Sequence, residues 1–280
     1  MNKELARDLI SAGVHFGHAV SRWNPKMEPY IFGKRGMIHI INVKETLKGL
    51  VISKRLLSTV VSGGRDVVFV GTKRQAKKAV QQAAEKCGMH YVSERWLGGT
   101  LTNFRTIRSR LQRLEELEAM DSTGKIEEQS KKQGSRLKRE LRKIKINLDG
   151  IRKMNRIPGA VVVVDAKKEY IALREARKLG IPTIAIADTD SDPDLMDVII
   201  PANDDSIKAV EILLDQLATA VAESKTAVRR EEPVAAGPAR AGRTRSRRRV
   251  LASAHDEPSE EPAEETTDNE VSEAAESSAQ

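Results

Sequence analysis

Six short apolar runs recur along the chain, each bounded by turn residues: Met37–Ile41, Val67–Val70, Met89–Val92, Ala160–Val164, Thr183–Ala187 and Val198–Ile200. Amphipathic stretches at Val43–Val61, Lys73–Cys87, Lys168–Leu179 and Ser206–Glu223 separate most of them. Strands joined by helical crossovers lie parallel, and the crossover helices cover both faces of the sheet. Val161–Val164 is apolar without interruption, as burial on both faces requires, whereas a one-sided strand would alternate. Gly180 and Pro182 separate a helix from the next strand, and Asp204 or Asp205 is expected to cap the last helix. The pattern predicts an α/β fold built on a mostly parallel sheet flanked by helices.

Between Trp96 and Pro158 the alternation stops. Leu101, Phe104, Ile107, Leu111 and Leu114 make one helical stripe, Asp121–Gly124 is a turn signal, and a longer helix is expected from about Glu127 to Asn155. In that second helix Leu137, Leu141, Ile144, Leu148 and Ile151 step by four and three, and most of the remaining positions are Lys or Arg. So narrow a stripe suits one partner helix, which predicts an antiparallel coiled-coil hairpin over 101–156, basic on its outer surface, inserted into an α/β domain spanning 1–225. Gly134 and Gly150 are expected to bend the second helix. After Lys225 aromatics are absent and Pro, Ala, Arg, Ser and Glu dominate, so 226–280 is expected to be a disordered charged tail.

Charge narrows the function. The chain carries 48 Lys and Arg against 40 Asp and Glu, a net +8, but 12 acids and 8 bases fall after Lys225, so the expected folded part carries +12. A body that positive implies a polyanionic partner. No apolar stretch approaches the roughly 20 residues that span a bilayer, and the opening residues mix charges without a secretory apolar core, so no membrane partner is expected. One cysteine, Cys87, excludes an internal disulfide and fits a reducing, cytoplasmic setting; near the end of a helical stretch it reads as a small buried hydrophobe.

Two clusters interleave aromatics with cations as RNA-binding surfaces do. Ser21–Gly36 holds Arg22, Lys26, Lys34 and Arg35 around Trp23 and Tyr30, and Glu94–Arg105 holds Arg95, Trp96 and Arg105 around a double glycine, with Arg108 one turn further on. The aromatics have core packing as their alternative role. At 3% aromatic the chain has few stacking platforms, so phosphate and shape recognition should dominate. Gly71-Thr-Lys-Arg, at the end of a strand, would offer N–H groups plus Lys73 and Arg74 to a phosphate, but it lacks every signature of a nucleotide-binding loop. Ala187–Asp194 is rich in aspartate, and with His15 or His18 it would make a metal site; it matches no calcium loop, and an acidic turn is the plainer reading, so no metal, cofactor or catalytic residue is assigned. His39 is expected to be a satisfied core histidine. A nucleotide- or metal-dependent α/β enzyme using the 71–74 turn and the 188–194 loop stands as the competing reading, and a free RNA-binding regulator as a third.

Several segments together resemble the ribosomal protein S2 family of the bacterial small subunit: Ala6–His18, Asn24–Gly33, Ile38–Val43, Arg95–Asn103, and Pro158–Asp165 with Glu169–Pro182. The likeness is colinear from about Leu5 to Ala222 and leaves the tail outside. It implies a Rossmann-like sheet with a coiled-coil insertion and a non-enzymatic, structural part in the small ribosomal subunit. It further implies a cytoplasmic protein seated in the ribosome at the head–body junction, contacting ribosomal RNA and other small-subunit proteins, among them the large protein that gathers messenger RNA.

Overall fold

The computed structural model describes residues 3–231. In chain order its elements are α1 (Lys3–Ser11), β1 (Phe16–Ala19), β2 (Ile31–Arg35), β3 (Ile38–Ile41), α2 (Val43–Ser62), β4 (Val67–Val70), α3 (Lys77–Cys87), β5 (His90–Val92), α4 (Phe104–Ser122), α5 (Lys131–Leu148), β6 (Ala160–Val164), α6 (Tyr170–Lys178), β7 (Thr183–Ala187), β8 (Val198–Pro201) and α7 (Ile207–Glu231). Five strands form a parallel sheet in the order β5-β4-β6-β7-β8. Val68 pairs with Val161, and Val162 with Ile184. The order reverses direction between β4 and β6, which opens a crevice at the carboxyl ends of the strands.

The continuous valine run of β6 divides by alternation. Val162 and Val164 join Val67, Phe69, Ile184 and Ile186 in a core covered by α1, α2, α3 and α7. Val161 and Val163 join Val68, Val70, Ala185 and Ala187 in a second core, covered by α6 and the base of the α4–α5 hairpin. Burying a valine side chain contributes about 1.5–3 kcal/mol, so apolar surface on both faces is what holds β6 at the centre. Cys87 sits buried in the first core, and burial pushes its thiol up to about 11, as an inert packing residue requires.

One expected strand lies elsewhere. Ile38–Ile41 pairs antiparallel with β1 and β2 in a separate three-stranded sheet. Its exposure explains the difference: His39 and Ile41 are buried while Met37 and Ile38 face outward, so the strand is one-sided. His39 packs on the Trp23 ring at 5.0 Å, and neither ring nitrogen has a hydrogen-bond partner among the described residues, so it is buried as expected but not satisfied by protein groups.

The hairpin buries the expected first stripe at Leu101, Ile107, Leu111 and Leu114 and extends it to Leu117. On α5 the stripe is half-buried at Leu137, Leu141 and Ile144 and closes fully at Leu148 and Ile151, where it reaches the second core. Glu118 binds Arg152 and lies 3.3 Å from Lys145, and Arg113 lies 3.6 Å from Glu140, so ion pairs cross between the two legs. The second helix starts at Lys131, later than expected, where the Ser130 hydroxyl accepts from the Gln133 N–H (3.4 Å). It passes Gly134 unbroken and ends at Leu148. A Cβ on Gly150 would lie 2.2 Å from the Tyr91 carbonyl oxygen, so the returning chain lies against β5 only because that residue is glycine.

Ser206, rather than Asp204 or Asp205, caps α7 by accepting from the Ala209 N–H (3.4 Å). That helix continues to Glu231, past the compositional change at Lys225. The rest of the expected tail, 232–280, lies outside the described residues. Among the described residues no helix is long and apolar enough to cross a membrane.

Candidate nucleic-acid interface

The loop between β5 and α4 carries Arg95, and its shape is set by a carboxylate that the sequence reading did not single out. Glu175 on α6 is only 8% exposed. Its Oε1 accepts from the Gly99 N–H (2.7 Å) and the Trp96 Nε1–H (3.2 Å). Its Oε2 accepts from the N–H groups of Leu101 (3.0 Å) and Thr102 (3.2 Å) and from the Thr102 hydroxyl. Burial favours the neutral acid, but the backbone donors outweigh it and hold the carboxyl below its usual range. A charged acceptor thus gathers the donors of the double-glycine turn, and Arg95 and Arg105 stand exposed at either end of it. The signal was a glutamate on the apolar face of α6, between Leu173 and Ala176.

Trp96, by contrast, is 6% exposed and belongs to the second core. It anchors the loop from inside and presents no free face to a base, so it leaves the set of RNA contacts. Arg108 is half-buried and donates to the Met154 carbonyl (3.3 Å) and to Asn155, joining the legs of the hairpin near their base. Outward from it the hairpin carries exposed Arg110, Arg136, Arg139, Arg142 and Lys143.

The first cluster is divided between the small sheet and the segment leading into it. Lys34 and Arg35 sit exposed at the β2–β3 turn beside Phe32, which is 78% exposed, and Arg22 is exposed in the preceding loop. Lys26 reaches instead to Asp192 (3.1 Å) and Asp194, pinning that segment to the loop after β7. Arg22, Lys34, Arg35, Arg74, Arg95 and Arg105 make no ion pair among the described residues, so their charge is directed at solvent.

Lys73 and Arg74 part company. Arg74 is exposed, while the Lys73 ammonium lies 2.8 Å from Asp204, 2.6 Å from Asp205 and 3.6 Å from Asp165. Burial works against its charge, yet Asp204 and Asp205 prevail and hold the proton above the usual lysine range. Its charge is consumed inside the protein, so Lys73 also leaves the set of RNA contacts. The donors of Thr72 in the adjoining turn are engaged as well. The Thr72 N–H and hydroxyl both donate to Glu169, a carboxylate 3% exposed, where an anion would need them free.

His18 and His15 also separate. His15 stacks on Phe16 with ring centroids 4.1 Å apart. The His18 Nδ1 lies 2.7 Å from Asp188, and that contact holds a proton on the ring, raising its pKa to about 9 against the effect of burial.

Comparison with known proteins gives a consistent result. The family described as Ribosomal protein S2 matches residues 9–224. A protein of Rhodopirellula baltica named small ribosomal subunit protein uS2 is 56% identical over 225 residues, covering 80% of this chain and 86% of its own length. Proteins of the same name from Thermus thermophilus and Synechocystis are 48% and 47% identical, covering 81% and 78% of this chain and 89% and 81% of their own lengths.

Proposed function

The chain belongs to the ribosomal protein S2 family, and on that premise we propose that it is a structural constituent of the small ribosomal subunit, held there mainly by contacts to ribosomal RNA phosphates. The observation that carries the RNA reading is the set of exposed cations without internal partners, on the 95–105 loop, the β2–β3 turn and the outer hairpin. Arginine suits this work because its planar guanidinium meets phosphate oxygens in two parallel hydrogen bonds. The contacts proposed are Arg22, Lys34, Arg35, Arg74, Arg95 and Arg105. Arg108 serves by fixing the hairpin that carries the outer cations, and Lys26 by fixing the segment after Arg22. Catalysis forms no part of the proposal: the turn after β4 donates to Glu169 and is flanked by aspartates, which repel the phosphates a nucleotide enzyme would need.

Two finer elements come from the family resemblance. One is a seat at the head–body junction, with cytoplasmic ribosomes as the setting. The other is a share in docking the large ribosomal protein that gathers messenger RNA. The test begins with binding to small-subunit RNA across a salt series. Each phosphate contact made releases counterions and steepens the dependence of log affinity on log salt by about 0.7–0.9. Replacing Arg35, Arg95 and Arg105 together by Gln is expected to lower that slope by about two to three. An unchanged slope with folding intact would remove these residues from the interface.

A further inference from the structure

We propose that the outer face of α6, centred on Tyr170 and Arg174, is a stacking subsite for an unpaired RNA base, a contact that rests on the RNA reading and adds base binding to its phosphate contacts. The face is made by where this segment puts its acids. From Lys167 to Lys178 the sequence holds two carboxylates, Glu169 and Glu175, and both are buried. The donors of Thr72 engage Glu169, and the loop between β5 and α4 engages Glu175. Lys167, Lys168, Arg174, Arg177 and Lys178 stand exposed, so every charged side chain that this stretch shows to solvent is a cation. Lys167 lies 3.0 Å from Asp190. Lys168 and Arg177 donate to the carbonyls of Thr72 (3.3 Å) and Asp194 (2.8 Å), which leaves their charge uncancelled. Arg174 and Lys178 make no ion pair among the described residues.

An aromatic ring stands inside this positive field. Tyr170 is 43% exposed, and the Arg174 guanidinium lies 5.3 Å from its ring centre. Packing does not call for a tyrosine here, because Ala172, Leu173 and Ala176 serve the second core from the inward side of the same helix. Ile171, 39% exposed, widens the apolar surface beside the ring. Tyr170, Arg174 and Lys178 follow one another at intervals of four residues, about 6 Å along the axis, and so share one side of α6. Aromatic rings and guanidinium planes are the surfaces on which unpaired bases stack, and a guanidinium also meets phosphate oxygens.

Charge selects the occupant. A ring ringed by cations, with no exposed acid on its own segment, faces a polyanion better than it faces a protein. Bases inside a duplex are already stacked on one another, so the ring takes a nucleotide from a loop, a bulge or a single strand. The face also continues the interface described above. Arg174 directly precedes Glu175, whose carboxylate accepts from the Gly99 and Leu101 N–H groups, so α6 adjoins the loop that carries Arg95 and Arg105. One strand of RNA held by those arginines has the α6 face beside it. In the sequence Tyr170 is an ordinary member of an amphipathic stretch; only the inward turn of Glu169 and Glu175 reveals the surface.

The test uses the full chain and small-subunit ribosomal RNA across a salt series. Tyr170→Ala is expected to weaken binding by about fivefold or more, and Tyr170→Phe, which keeps the ring, by less than about twofold. Tyr170→Leu, which keeps apolar bulk without a flat face, should behave like Tyr170→Ala. The salt slope should stay that of the wild type in all three, because the ring carries no charge. Irradiating the complex made with RNA containing 4-thiouridine should place an adduct on the tryptic peptide 169–174 in the wild type and in Tyr170→Phe, and not in Tyr170→Ala. Wild-type affinity in Tyr170→Ala beside a steep wild-type salt slope would leave the RNA reading standing and overturn the subsite. A flat wild-type slope would remove both. Unchanged RNA affinity with poorer entry of Tyr170→Ala into assembled subunits would give the face to a protein neighbour and also overturn the proposal.

Discussion

Glu175 shows how one side chain organises the surface it does not reach. Its two oxygens take donors from Trp96, Gly99, Leu101 and Thr102. In Glu175→Gln one oxygen becomes an amide that faces N–H donors. Losing a hydrogen bond to a charged group costs about 1.5–3 kcal/mol, so with about 2–4 °C per kcal/mol for a domain of this size a fall in melting temperature of roughly 3–12 °C is expected, with a shifted Trp96 emission. The pH dependence has a definite sign. The folded Glu175 carboxyl lies below its ordinary range, so its stabilisation is complete above that range and disappears as pH falls through the lowered value. The stability gap between wild type and Glu175→Gln, from denaturant melts, should therefore be full near neutral pH and shrink as the solution is acidified through the carboxylate range. A gap independent of pH would show that the charge is not what holds the loop.

Among the elements, the hairpin has two regimes. Its base is part of the second core, while farther out the buried stripe of α4 meets a half-buried stripe on α5, with ion pairs between the legs. Glu118→Lys places a cation against Lys145 and Arg152. Hydrogen exchange should then speed up in the outer parts of α4 and α5 and stay unchanged in β6 and β7; acceleration in the sheet would contradict the division. Gly150→Ala acts at the base. The added carbon meets the Tyr91 carbonyl, and overpacking of this kind costs about 1–3 kcal/mol, measurable as a lower denaturant midpoint. Legibility followed burial in the same way. β4, β6 and β7 match their expected bounds because each is a short, continuously buried run, rich in β-branched residues, between turns. β1 and β2 carry no such signal: Phe16-Gly-His-Ala and Ile31-Phe-Gly-Lys-Arg are one-sided edge segments broken by glycine and charge. α3 starts at Lys77 rather than at the expected Lys73, because Lys73–Ala76 forms a turn before it. Within the interface, charge identified candidate cations, but only packing showed that Lys73 and Trp96 face inward.

For the whole molecule, charge is sorted by location. Aspartates converge at the carboxyl edge of the parallel sheet, while unpaired Arg and Lys stand on the loop after β5, the β2–β3 turn and the hairpin. Family membership and this distribution both support the proposed role, a structural protein whose exposed cations would face a polyanion. The measurement that tests this most directly is sedimentation of a native lysate through a sucrose gradient, with this chain followed by immunoblot in every fraction. Comigration with small subunits and intact ribosomes at constant stoichiometry, lost when small subunits are depleted, is the expected result. Recovery at the top of the gradient in low salt, or in a pool unlinked to small subunits, would contradict it.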